Sequence, residues 1–352
     1  MTPAELSRTV LRSVRGAVEE QELSVSVPTR IVVQPPPRPG CGDYASNVAL
    51  QLARQAGRPA REVAEILRKR LSGSAGIARV EIAGPGFLNF TLGDGAQIAL
   101  VREVLARGDG YGGTAAGQSP VAADPVAGSA AGPAGDARAA VVAEALARID
   151  AAAGPGGRRA GEQPVLAPAR YDFATLLARL GADEARWVLL RPAAQDPVRV
   201  PKRPVQRESN PRFRVQYAHA RARALGRHAR DLGFGSEPGD VGAPVRGQAA
   251  DDGSSDGAGS AAQDLKSFHT LLATYPSVVE SAARLRAPDR VVRHLEATAD
   301  AFFRWHDDYP PLPVGEQKPL AVHRARLALA EAGRTVLANG LRLLGISAPE
   351  HL

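Results

Sequence analysis

Apolar residues recur along this chain in distinct rhythms, and the rhythms divide it. Near the start, Leu6, Val10, Leu11, Val14 and Val18 recur at helical spacing. Ile31-Val32-Val33 is a short strand candidate. A second helix is expected from about Ala45, with Val48, Leu52 and Ala53 on one side and Gly57 as its stop. A third begins with Pro59 in its first turn, where a missing N–H costs little, and carries Val63, Ile66, Leu67 and Leu71. Val80–Ala83 and Phe87–Leu92 read as strands joined by Gly84-Pro85-Gly86. Ile98, Val101 and Leu105 place one more helix. These elements predict an α+β N-terminal module over residues 1–110.

From Gly112 to about Gly161 the rhythm gives way to Ala, Gly, Ser and Pro. Such a stretch buries too little apolar surface to offset the entropy of ordering it. Residues 111–163 are therefore expected to be a flexible, low-complexity linker, with one helical island at Ala139–Ile149. Residues 164–352 return to helical periodicity without a convincing strand and predict an all-α helical bundle. A second Gly-, Ser- and Asp-rich stretch, 235–262, is expected to be a disordered insert in that bundle.

Composition narrows the picture. The 352 residues suit two or three domains, and a hydrophobic fraction of 44% allows a packed core. No apolar run approaches the ~18 residues of a membrane span. The first residues lack a basic stretch followed by an apolar one, so no signal peptide is expected and a cytoplasmic location is the default. Cys41 is the single cysteine, which excludes an internal disulfide and a multi-cysteine zinc site. The formal charge is +7, and only Lys69, Lys202, Lys266 and Lys318 are lysines among 44 basic residues. Arginine-rich coding bias alone would produce such a balance, so its distribution matters more. From Gly156 to Arg230 there are 16 Arg and Lys against six Asp and Glu. A cationic band of this kind suits an anionic partner.

Three blocks carry candidate chemistry. In the first, Gly42-Asp43-Tyr44-Ala45-Ser46-Asn47 precedes Ala83-Gly84-Pro85-Gly86-Phe87-Leu88-Asn89-Phe90. The glycine turn pushes Phe87 outward, and Asn89, two residues on, faces the same side of its strand. An exposed ring can stack on an unpaired base while an amide reads its edge. A purely structural role, Phe87 in a core and Asn89 in a turn, is the alternative. The second block is Asn210-Pro211-Arg212-Phe213-Arg214-Val215-Gln216-Tyr217-Ala218-His219-Ala220-Arg221. On a helix, Val215, Ala218, Ala222, Leu225, Ala229 and Leu232 form the buried stripe, flanked by Tyr217, Arg221 and His228. Arg223, Arg227 and Arg230 fall on the far face, where a solvated row is the plainer reading. The third block is Phe302-Phe303-Arg304-Trp305-His306, with Phe302 and Phe303 read as core and Trp305 as a candidate base contact.

The first block resembles the N-terminal additional domain of arginyl-tRNA synthetases, and the second is similar to the helix that opens their anticodon-binding domain. Leu180–Leu190, the third block and Val336–Ile346 match the same family pattern, so the resemblance covers about residues 1–107 and 164–352. It implies a tRNA partner, an arginine tRNA by family, with Phe87 and Asn89 at the D-loop. Tyr217, Arg221, Arg203, Arg207, Arg214 and Trp305 would then lie near the anticodon stem and loop. The family often has a second aromatic three residues before Tyr217; Arg214 stands there, beside Phe213. The span Arg199–Arg214 is also more basic than its family counterpart. The family's ATP-binding His-x-x-His is missing, since no two of the seven histidines are three apart. Gly157-Arg158-Arg159-Ala160-Gly161 looks like a lysine-free remnant of the catalytic lysine loop. A class I core needs several βαβ units of roughly 30 residues each, and the 108–163 interval does not hold them. No catalytic residue, cofactor or metal ligand is therefore assigned. The leading expectation is a tRNA-binding relative without aminoacylation chemistry. A protein-interaction partner of a complete synthetase is the alternative, and an ATP-dependent arginine–tRNA ligase remains the reading by family label.

Overall fold

The structure, a computed structural model, describes residues 1–36, 41–93, 95–113, 137–154, 164–169, 171–201, 206–243 and 255–352. Arg203, the 157–161 stretch and most of the linker lie outside these. Contacts divide the chain into Met1–Leu100 and Val101–Leu352, and each unit is described by itself.

In the first unit, helix α1 (Pro3–Glu19) starts at a capping box. Thr2 accepts from the Glu5 N–H, Glu5 accepts from the Thr2 N–H at 2.8 Å, and Pro3 occupies the first turn. Strand β1 (Tyr44–Ser46), α2 (Val48–Ala56), α3 (Ala60–Leu71), β2 (Ile77–Ala83) and β3 (Phe87–Leu92) follow. The sheet is antiparallel with β3 central, in the order β1-β3-β2. Alternation on β3 sends Leu88 and Phe90, both at 0% exposure, into the core with Leu6, Val10, Val14, Val63 and Leu67. Ile31-Val32-Val33 is not a strand; the backbone there makes one isolated bridge, Gln34 to Ala45. The β2–β3 turn requires glycine at 86, where φ is +143° and a Cβ would meet the Ala60 carbonyl oxygen at 2.9 Å.

Helix α4 (Gly95–Arg107) leads into a 3₁₀ turn, Gly108–Gly110. The second unit adds α5 (Ala137–Ala153), α6 (Phe173–Leu180), α7 (Ala182–Leu190), α8 (Pro211–Asp231), α9 (Ser255–Leu285), α10 (Asp289–Asp308) and α11 (Ala321–Leu344). Among the described residues it holds helices and no strand, as the periodicity predicts.

Two expectations change here. The region read as a linker contains α5, whose Val141, Val142, Leu146 and Ile149 are buried against neighbouring helices. The expected helical island at Ala139–Ile149 is this helix, which runs slightly further at both ends and packs into the bundle through its apolar stripe. At its start, Arg138 is 1% exposed. Its guanidinium donates to the carbonyls of Ala167, Leu189, Pro192, Ala193, Ala194 and Asp196. Partial charges at the end of α7 thus help hold a buried cation. The insert read as disordered is also ordered at both ends. Phe234 and Val241 are buried, Arg326 donates to the Val241 and Ala243 carbonyls, and α9 begins at Ser255.

Tyr111 and Gly112, just past the 3₁₀ turn, are buried in the second unit. Pro276 inside α9 has no N–H, so the Leu272 carbonyl four residues back lacks its helical donor. The Tyr111 hydroxyl donates to that carbonyl at 2.9 Å. Asn339 donates to the carbonyls of Gly108 (2.9 Å) and Tyr111 (3.0 Å). Gly112, at φ +94°, lies where a Cβ would meet the Tyr275 ring at 2.2 Å.

Candidate nucleic-acid interface

In the first unit the outer face of the sheet is set by register. Asn89 pairs with Glu81 on one side and Ala45 on the other, and Phe87 pairs with Ala83. Phe87 is 41% exposed, as the glycine turn predicts. Asn89 shares its face but is sunk to 8% exposure between the neighbouring strands. The two expected contacts are thus adjacent, with the ring presented and the amide recessed.

In the second unit the site is built from the N-cap of α8 upward. Asn210 caps the helix by accepting from the N–H groups of Arg212 and Phe213. Its own amide donates to Glu184 on α7 at 2.9 Å, and Arg212 joins the same carboxylate at 2.6 Å. Gln216, buried, donates to Asp183 and to the Ser347 carbonyl, both at 2.9 Å. Residues of Leu180–Leu190, the 210–221 block and Ser347, just past Val336–Ile346, are therefore joined in one polar network that ties α8 to α7. The expected buried stripe holds at Val215, Ala218, Ala222, Leu225 and Ala229; Leu232, past the helix end, is 52% exposed.

Helix α8 also presents a stack of rings. Phe213 lies under Tyr217 one turn on, with centroids 5.9 Å apart and planes 9° from parallel. Tyr217 meets Phe303 of α10 at 5.5 Å and 24°. The Arg214 guanidinium covers Phe303 at 4.9 Å. Tyr217, Phe213 and Phe303 are all half-buried, and Arg221 is exposed. Burial first, then the nearby Arg221 charge, lowers the pKa of His306.

Several expected contacts do not reach this face. Trp305 is fully buried, stacked on Phe268 at 5.3 Å, and is a core residue. It follows Val291, Leu295, Thr298 and Phe302 along the buried stripe of α10, so its spacing already pointed inward. Arg214 is neutralised by Asp300 and sits 3.8 Å from Glu208, which removes it as a free phosphate contact. Arg207 is exposed, beside the α8 N-terminus. Arg203 lies outside the described residues. Phe303, read as core, is instead the third ring of the stack; the signal for it was its place one residue off the buried stripe.

A cleft of about 940 Å³ opens between α7, the start of α8 and α10. It is lined by Trp187 and Val188 of α7, by Pro192, Pro197 and Pro201, and by Arg191, Arg199 and Arg293. Arg191 pairs with Glu296 across it at 2.6 Å. Among the described residues no group of acidic, histidine and cysteine side chains could hold a metal ion, and no helix is long and apolar enough to cross a membrane.

Comparison with known proteins places both halves. Residues 8–92 match the arginyl tRNA synthetase N terminal domain, and residues 215–352 match the DALR anticodon binding domain. No catalytic core is detected between them. An arginine–tRNA ligase of Frankia alni is 47% identical over 157 residues, 44% of this chain and 28% of that protein. One from Paenarthrobacter aurescens is 41% identical over 179 residues, 50% of this chain and 30% of that protein. The matched part thus spans under a third of the length of these relatives. The solved structure of Thermus thermophilus arginyl-tRNA synthetase shares the fold, with a TM-score of 0.57 at 15% identity and with 100% of each chain covered.

Proposed function

We propose that this chain, which carries the N-terminal and anticodon-binding domains of the arginyl-tRNA synthetase family, binds tRNA without performing aminoacylation itself. One observation carries the reading: the half-buried stack Phe213–Tyr217–Phe303 with exposed Arg221 on the same helix face. Stacked aromatics offer a π-face to an unpaired loop base, and a neighbouring guanidinium neutralises a phosphate. Phe87 in the first unit offers a second, single ring. The proposal of no catalysis rests on the sequence, which lacks the His-x-x-His pair and room for a nucleotide-binding core.

The test is binding of an arginine tRNA transcript against duplex DNA of similar charge, over a series of salt concentrations. Preference for tRNA, with affinity falling steeply as salt rises, is the expected result. Equal and weak binding of both would reject the tRNA reading. It would favour a protein partner, for which the proline-lined cleft beside α7 offers a surface. Arginine-dependent ATP–pyrophosphate exchange should stay at background; turnover would show that the chain is an enzyme.

A further inference from the structure

On the side of α8 away from the ring stack, the segment Ser347–His351 lies along the helix like a strap. Ser347 is tied at its base, its carbonyl accepting from Gln216 at 2.9 Å and its N–H donating to the Asp183 carboxylate at 3.1 Å. The Pro349 carbonyl meets His219 Nδ1 at 3.0 Å. Beyond Pro349 the contacts are an exposed ion pair and long hydrogen bonds. Glu350 pairs with Arg223, whose side chain is 38% exposed, while its own is 57% exposed. Arg227 reaches the Glu350 carbonyl at 3.5 Å and His351 Nδ1 at 3.4 Å. Beneath the strap, His219 has its pKa lowered by burial first, and also by the charges of Arg334 and Arg223, so the ring favours its neutral form there.

We infer that Arg223 and Arg227 form a binding site for a phosphodiester of bound RNA, occupied in this structure by the chain's own Glu350. The strap is fixed at residues 347–349 by the buried Gln216 and His219, and held at 350 only by exposed contacts, the Arg223 ion pair and a long bond from Arg227 to its carbonyl. An exposed pair of this kind is weak and screened by salt, so Glu350 can swing away while the anchored part stays. A phosphate entering in its place meets two guanidiniums spaced one helical turn apart, on the same helix that presents Tyr217. The carboxylate keeps this face closed to weakly bound anions and opens it when neighbouring contacts hold a strand nearby. Competition at this site deepens the tRNA reading and rests on it.

The experiment measures affinity of the full chain for an arginine tRNA transcript at several salt concentrations, comparing Glu350→Gln with wild type. Glu316→Gln, an exposed acid elsewhere, controls for net charge. Glu350→Gln should tighten binding about 3- to 10-fold and steepen the log–log salt slope by about 0.7–0.9, one extra phosphate contact. That gain should vanish when Arg223→Gln is also present. A gain no larger than that of Glu316→Gln, or one that survives Arg223→Gln, overturns the site. If Tyr217→Ala still weakens binding in that case, the tRNA reading stands and only this site falls. If the transcript binds none of the proteins even at the lowest salt, both fall together.

Discussion

The two units present aromatic surface by different means. In the first, a glycine turn lifts a single ring, Phe87, at the start of the central strand of a three-stranded sheet, and the strand register buries its neighbour Asn89 to 8% exposure. In the second, an i, i+4 repeat on α8 and one ring from α10 build a stack three deep, with its cations sorted by pairing. Arg212 and Arg214 are spoken for by Glu184 and Asp300, while Arg221 is exposed. A turn can position one ring cheaply. A helix pair can set the tilt and the electrostatics of several, but only if a polar network holds the helices in register.

The largest effect that separates surface from core belongs to Trp305. Trp305→Ala should destabilise the second unit by about 3–5 kcal/mol, the usual cost of emptying a large aromatic site. Thermal unfolding by circular dichroism checks this. Tyr217→Ala should move the transition far less, and equal losses from the two would erase the distinction between stack and core.

Acid should divide the units next. All seven histidines and both tryptophans lie in the second unit. Burial lowers the pKa of His269 and of His294 to about 4, so each is held neutral in the folded state and takes a proton more readily when unfolded. Their stabilisation is complete above the unfolded value of about 6.5 and is lost as pH falls from there toward 4. By pH 5 the loss is on the order of 2 kcal/mol per ring. Tryptophan fluorescence during denaturant unfolding at pH 7.5 and pH 5 reports the second unit alone; a pH-independent midpoint would contradict the burial of both rings.

Binding contrasts come third. Tyr217→Ala should weaken tRNA binding about 5- to 150-fold at fixed salt, the range of 1–3 kcal/mol for a stacked base. Phe87→Ala should fall at the low end, because one ring is lost without breaking a stack. A larger effect at Phe87 would move the principal contact to the first unit. The smallest contrast is between two arginines seven residues apart. Arg221→Ala should flatten the salt slope by about one unit, as loss of a phosphate contact does. Arg214→Ala should leave the slope nearly unchanged, since Asp300 already neutralises that guanidinium.

Much of this was legible in the sequence, for physical reasons that differ by element. The turn at Gly84–Gly86 and the stripe of α8 follow from local rules, and both appear where the residues placed them. Helix α5 was legible as an island at Ala139–Ile149, but its packing into the bundle was not, because composition averages over a window whereas packing responds to four apolar side chains at the right spacing. Trp305 and Phe303 were exchanged for a related reason. Neighbouring positions on a helix differ by about 100° in direction, so one residue decides between core and surface. The pairing of Arg214 with Asp300 joins residues 86 positions apart and has no local signature.

The proline in α9 has a consequence for how the chain is joined. By leaving the Leu272 carbonyl without a helical donor, it makes a socket, and Tyr111 is the plug that fits it. The polypeptide on both sides of residues 114–136 is therefore fastened to the same helical body, one side by covalent continuity and the other by Tyr111, Gly112 and the Asn339 amide. A break anywhere in 114–136 would leave two polypeptides that behave as one particle, in the manner of a split protein whose halves reassemble without a linker.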